Sequence, residues 1–192
     1  MTKPLKHSHY ILYKPYGYLS QFVNNQNKRR NKKLLGSLFN FPKNLMAIGR
    51  LDEKSEGLLL LTTDGKMSDY IRSSKIEKEY YVMVDGIMSS EELQKLKDGI
   101  EISVNGKLYI TKPCAAFLFE TTPKVPKRFV REEKHGPTSW LSLTLTEGKF
   151  RQVRKMTATV GFPTLRLVRI RIGDFELGNM QPGDIKEVET IL

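Results

Sequence analysis

Cysteine and histidine are nearly missing from this chain, and each shortage removes a class of function. The lone cysteine, Cys114, excludes an internal disulfide and suits a reducing cytoplasm, the compartment expected here. His7 and His9 form a His-x-His pair in a polar tail, and His135 lies in a Pro/Lys-rich stretch. With a single thiol to add, they make no zinc-type spacing, so no metal is expected. Gly-rich phosphate loops of the Walker or dinucleotide kind are absent too, and no cofactor is expected. No apolar run approaches the roughly 18 residues of a membrane helix, and the N-terminus lacks the apolar core of a signal peptide. Acidic residues are the remaining shortage. Twenty-one Asp and Glu against 32 Lys and Arg leave a formal charge of +11 and a pI near 9.7. That excess attracts polyanions: RNA, DNA or an anionic membrane surface, of which the last is disfavoured by the missing membrane signals.

What is present suits a globular fold: 192 residues, 39% hydrophobic and 28% charged, enough for one domain with room for two lobes. Residues 1–8 read as a disordered basic tail and 9–192 as a single domain. Strands are expected at 9–13, 45–48, 58–61, 77–85, near 100–104, 107–111 and 114–119, then at 139–146 and 164–172. Helices are expected over 66–72, from Ser89 to about Asp98, and over 151–160, with a short one near 34–39. The arginines of 164–172 sit awkwardly on a core strand, which is therefore expected to be half exposed. Two irregular stretches are rich in cations. Asn24 to Lys33 carries five, among them Lys28, Arg29 and Arg30, and Thr121 to Thr138 carries five with three prolines, including Lys127 and Arg128. Each is either a solvated charge run or a phosphate-contacting arm.

The most informative run is Gly49-Arg50-Leu51-Asp52-Glu53-Lys54-Ser55-Glu56-Gly57, followed by four leucines and Thr62-Thr63-Asp64-Gly65. Physically it is a charged turn feeding a short buried strand. Asp52 there either closes an Asx-turn or is held out from a rigid element for chemistry. Similarly, Tyr80 and Tyr81 point to opposite faces of one strand, and a strand tyrosine is by default a core residue. Arg151, Arg154 and Lys155 on the last helix are solvated or ligand-binding.

The run closely resembles the G-R-L-D-x-x-S-x-G-L-L-L-L-T-N-D-G signature of the RsuA/RluE-type pseudouridine synthases, with Thr63 where that signature has Asn. Lys14-Pro15 with Gly17 matches the family's K-P-x-G turn, Lys78-x-Tyr80 its K-x-Y, and Glu147 to Met156 its E-G-x-x-R-Q-V-R-R-M block, continued through Gly161 to Leu167. The resemblance implies an α+β fold, a central mixed, largely antiparallel sheet with flanking helices in two lobes around a cleft. It implies Asp52 as the essential carboxylate, Tyr80 lining the site beside the base, Arg154 as the partner of the aspartate, and Leu165 near the nucleobase. Arg50, Lys78 and Arg151 join the RNA- and base-binding set. It further implies an rRNA substrate of the large subunit. Many members carry a small RNA-binding module before the first strand, for which the residues ahead of His9 leave no room, and a monomer is the default expectation.

The implied reaction breaks the N1–C1′ bond of uridine, turns the uracil and rejoins it through C5, so no outside group is transferred. Flipping the uridine needs a basic channel and an aromatic platform. A buried carboxylate must be held charged by a fixed cation, for which an arginine is suited. Whether Asp52 attacks C1′, adds to C6 or removes a sugar proton stays open. Two other functions compete: a non-catalytic RNA-binding or ribosome-assembly protein with a vestigial site, and a nucleoside hydrolase on the same scaffold.

Overall fold

A computed structural model describes residues 7–23, 31–73 and 76–191. The chain is α+β, and its contacts divide it into a first unit, Met1–Lys75 with Phe175–Leu192, and a second, Ile76–Asp174. In order the elements are β1 (His9–Lys14), β2 (Tyr18–Leu19), β3 (Lys33–Leu34), β4 (Met46–Ala47), β5 (Glu56–Thr62) and α1 (Gly65–Ser73). The second unit holds β6 (Lys78–Asp85), α2 (Ser90–Asp98), β7 (Glu101–Val104), β8 (Lys107–Ile110), β9 (Ala115–Leu118), β10 (Thr138–Leu145), α3 (Gln152–Thr159) and β11 (Thr164–Ile172). The chain then returns to the first unit with β12 (Phe175–Glu176) and β13 (Ile185–Val188). Lys28, Arg29 and Arg30 lie outside the described residues, as do the first six of the expected tail. His7 and Ser8 are described, and both meet the Thr63 hydroxyl.

In the first unit, β5 is antiparallel to β1, which is antiparallel to β13. The leucine run is central here: Leu58 to Leu61 are at most 1% exposed, and every residue of β5 is buried. Burying each leucine contributes about 1.5–3 kcal/mol, so β5 is a rigid rail. Leu59 and Leu61 pack with Tyr10, Leu12, Leu35 and Leu45.

In the second unit, the antiparallel order is β11-β6-β10-β9, with β7 and β8 forming a separate hairpin. One face of β6 and β10, through Val82, Val84, Leu141 and Leu143, packs on Leu96 of α2 and on Val153 and Met156 of α3. Helix α2 is started by a capping box, Ser89 accepting from the Glu91 N–H and Glu92 reaching back to the Ser89 N–H. At its end Gly99 has φ +99°, and a Cβ there would meet the Thr111 carbonyl oxygen at 2.4 Å, so only glycine fits.

Strand β11 departs from the sequence expectation. Arg166 and Arg169 are each 4% exposed rather than half exposed. Arg166 is accommodated because it donates to the Pro126 carbonyl at 2.8 Å and lies 5.9 Å from the Trp140 ring centroid. A buried guanidinium is tolerated where backbone oxygens and an aromatic face replace its water. No helix among the described residues is long and apolar enough to cross a membrane.

Candidate active site

Asp52 stands on the turn leading into β5. Glycines bound that turn: Gly49 at φ +72° and Gly57 at φ +106° take backbone conformations that side chains disfavour. The turn is closed by the main chain, since the Ser55 N–H donates to the Asp52 carbonyl at 3.0 Å. The Asp52 carboxylate on this turn is half-buried. The surrounding loop is pinned from several directions. Ser20 Oγ donates to the Leu51 carbonyl and accepts the Leu51 N–H, both at 2.9 Å. The Gly17 N–H donates to the Glu53 carbonyl at 2.8 Å, and Lys32 meets the Glu53 carboxylate at 2.6 and 2.7 Å.

Lys14 is the anchor that motif matching did not interpret. Its side chain is fully buried, and Nζ donates to the Ser55 carbonyl at 2.7 Å and the Pro15 carbonyl at 3.0 Å. A lysine ending an otherwise apolar strand was the available signal; what it reaches is decided by pairing β1 with β5. Arg50, two residues before Asp52, is exposed.

In the second unit, Tyr80 is half-buried at the margin of the α2/α3-facing core, and its β11 partner in register is Arg169. Tyr81 faces the other way, edge-on to Phe119 with ring centroids 4.8 Å apart. Lys78 donates to the Ile76 carbonyl at 2.8 Å; burial first, and then the Arg169 charge, pull its pKa below the usual lysine value. Arg169 thus stands with Lys78 and Tyr80, a placement that the alternation of the strand does not reveal.

Helix α3 places Arg151 and Arg154. Arg151, exposed, sits at φ +54°, a left-handed position costing about 1 kcal/mol for a residue with a side chain. Arg154 Nη1 approaches the carbonyl of Thr164, the neighbour of half-buried Leu165, at 3.4 Å. The Thr157 and Thr164 hydroxyls, 2.7 Å apart, join α3 to β11. Glu147 fixes the start of the helix: its carboxylate accepts from Gln152 Nε2 at 2.6 Å, the Lys112 N–H at 3.0 Å and the Tyr109 hydroxyl at 2.5 Å. Burial pushes its carboxyl up, but those three donors outweigh it and hold it below the ordinary glutamate value. Lys155 is not merely solvated, because Nζ donates to the Ser103 carbonyl at 2.6 Å.

Lys127 and Arg128 do not join Tyr80. They line a cavity of about 900 Å³ with Met83 and Trp140, on the face of β6 and β10 that α2 and α3 leave free. Cys114 has its thiol pushed up to about 11 by burial, so it is no nucleophile at neutral pH. Among the described residues no group of three or more His, Cys, Asp or Glu is placed to hold a metal ion.

A charged turn carrying an aspartate from a buried strand, and a strand tyrosine with a helix arginine elsewhere in the chain, are the features the signature names. The chain belongs to the RNA pseudouridylate synthase family, which matches it over residues 8–159. It is 42% identical over 183 residues to a ribosomal large subunit pseudouridine synthase E of Vibrio parahaemolyticus, covering 93% of this chain and 73% of that protein. The protein of the same name from Xanthomonas axonopodis pv. citri is 43% identical over 176 residues, covering 90% and 89%. Among solved structures, a crystal structure of a pseudouridylate synthase superposes with a TM-score of 0.74 at 26% identity, over 95% of this chain and 70% of that one.

Proposed function

We propose that this enzyme isomerises a specific uridine of large-subunit ribosomal RNA to pseudouridine, in the cytoplasm, with Asp52 as the acting carboxylate. The observation that carries the reading is the Asp52 turn. Its backbone is tied by Ser20, Lys14 and Gly17, and it leads into a fully buried strand. Such anchoring holds a side chain within the small tolerance that catalysis demands. The ribosomal target is supported by the names of the similar proteins from Vibrio and Xanthomonas.

In the proposed reaction the N1–C1′ bond breaks, the uracil turns while bound, and C5 bonds to C1′. C5 then loses its proton, and N1 ends protonated, so the isomerisation balances without an outside reagent. Arg154 keeps the Asp52 carboxylate charged, which an arginine does well because it does not lose its proton. Tyr80 supplies a face for the freed base, Arg50 takes its place in the RNA stack, and Leu165 limits water that would turn isomerisation into hydrolysis. Lys78 and Arg151 contribute charge for the RNA backbone.

The test replaces Asp52 with Asn and follows release of label from C5 of uridine in ribosomal RNA. Release should fall by at least about 10³-fold while RNA binding persists. A variant that still isomerises at the parental rate overturns the assignment, and free uracil as the product would indicate a hydrolase.

A further inference from the structure

We infer that the face of the second unit turned away from α2 and α3 carries a groove for a single-stranded stretch of RNA, separate in its residues from Asp52, Tyr80 and Arg154. This rests on the reading of the chain as an RNA enzyme and extends it to a second contact. The groove is the 900 Å³ cavity beside Trp140, a volume within the range that holds nucleotide-sized ligands.

Its floor is the alternate face of the sheet, Met83 and Trp140, and its wall is the 121–138 segment. That segment is irregular yet held at defined points. Arg166 donates to the Pro126 carbonyl at 2.8 Å from below. Arg131 reaches the Asp85 carboxylate at 2.6 Å and the Gly136 and Pro137 carbonyls at 3.2 Å. The wall is therefore built in place rather than waiting to be ordered, which lowers the entropic cost of binding.

The chemistry of the lining selects the occupant. Phe129 is 76% exposed on the wall, and Phe119 adds a second ring to the lining. Lys127 and Arg128 stand beside them, and residues 121–138 carry five cations against two carboxylates. An exposed ring at Phe129 and a half-buried one at Phe119, beside cations, suit a strand with unpaired bases: a base stacks on Phe129 while phosphates meet the charges. About half of the lining is apolar, yet four cations, Lys127, Arg128, Arg131 and Arg166, against the one carboxylate of Glu120 give it a positive charge that suits a polyanion better than an uncharged protein surface. Glu120 is the one carboxylate of the lining; it repels phosphate and can accept from a base amino group.

The chain's single tryptophan, Trp140, lies in the groove and reports on it directly. The full chain is titrated with single-stranded uridylate and adenylate dodecamers while Trp140 emission is followed. Emission should change on binding, and Phe129→Ala should weaken the affinity about tenfold. Lys127→Ala with Arg128→Ala should lower the salt-dependence slope by about 1.4, two phosphate contacts on a single strand. Each variant should also raise KM for ribosomal RNA in the C5-label assay. Parental affinity, salt slope and KM in the variants, with Trp140 silent, would overturn the inference and leave the groove to a protein partner. Failure of the isomerase reading looks different: no label would be released by the parental chain, while the groove variants would still alter oligonucleotide binding.

Discussion

Two irregular stretches, the Gly49–Gly57 turn and the 121–138 segment, are held in place by different means. The first is held at four closely spaced points: the carbonyls of Leu51 and Ser55 accept from the Ser20 and Lys14 side chains, and those of Asp52 and Glu53 from the Ser55 and Gly17 N–H groups. The second is tied to the rest of its unit at scattered points, by the Arg131 and Arg166 guanidinium groups and by the Gly86 N–H on the Pro137 carbonyl. Ties at closely spaced residues leading into a fully buried strand suit a group that must be placed to a fraction of an ångström. Scattered ties leave a wall that accommodates more than one sequence of bases. Under the proposed roles, the difference is that between a reacting position and a gripping one.

The sharpest way to break this contrast is at its reacting end. Under the proposed roles, Asp52→Asn and Arg154→Met should each lower isomerisation by about 10³-fold, and the double variant should lose little more than either, because residues with one shared task are not additive. Additive losses in single-turnover assays would separate the two residues and leave the turn with a different cation.

Lys14→Met tests the anchoring of the turn. It leaves the Ser55 carbonyl without its buried donor, at a cost of about 1–3 kcal/mol in chemical denaturation. Because the turn shifts, kcat should fall about a hundredfold with a much smaller change in RNA affinity. A stability loss with unchanged kcat would show that the turn holds its shape without Lys14.

Glu147→Gln tests the placement of α3. Its carboxyl is depressed in the folded state, so its stabilisation is complete above the ordinary glutamate value of 4.5 and is lost as pH falls through the folded value. Denaturant midpoints of the parental and variant chains should differ by about 1–2 kcal/mol at pH 7, a figure reduced for partial exposure, and converge in acid. A gap independent of pH would assign the effect to packing.

The smallest effect is expected at the gripping end. Arg131→Gln should raise tryptic cleavage within 121–138 about two- to threefold and leave the Asp52 chemistry unmoved, because a partly exposed ion pair contributes little to global stability. Unchanged cleavage would show that Arg166 alone holds the wall.

Much of this was legible along the chain. Leucines at 58–61 announced a buried strand, Ser89 with Glu92 announced a helix start, and Asn105-Gly106 announced the β7–β8 turn. The arginines of β11 misled, because alternation treats a guanidinium as solvent-facing, whereas Trp140 and the Pro126 carbonyl, each at least 26 positions away in sequence, give Arg166 a buried home. The roles of Lys14 and Glu147 were likewise hidden, since a buried ion's worth depends on which distant carbonyl or amide it meets.

By itself the sequence determined what is local or a matter of composition: the basic excess, the element types, and a signature dense enough to name the family. Tertiary structure alone decided which carbonyl Lys14 holds, which face of β6 each tyrosine takes, and that 121–138 encloses a groove over Trp140. The reason is physical. Periodicity and turn chemistry act between near neighbours, whereas burial of charge and enclosure of space arise only when strands distant in sequence are laid side by side.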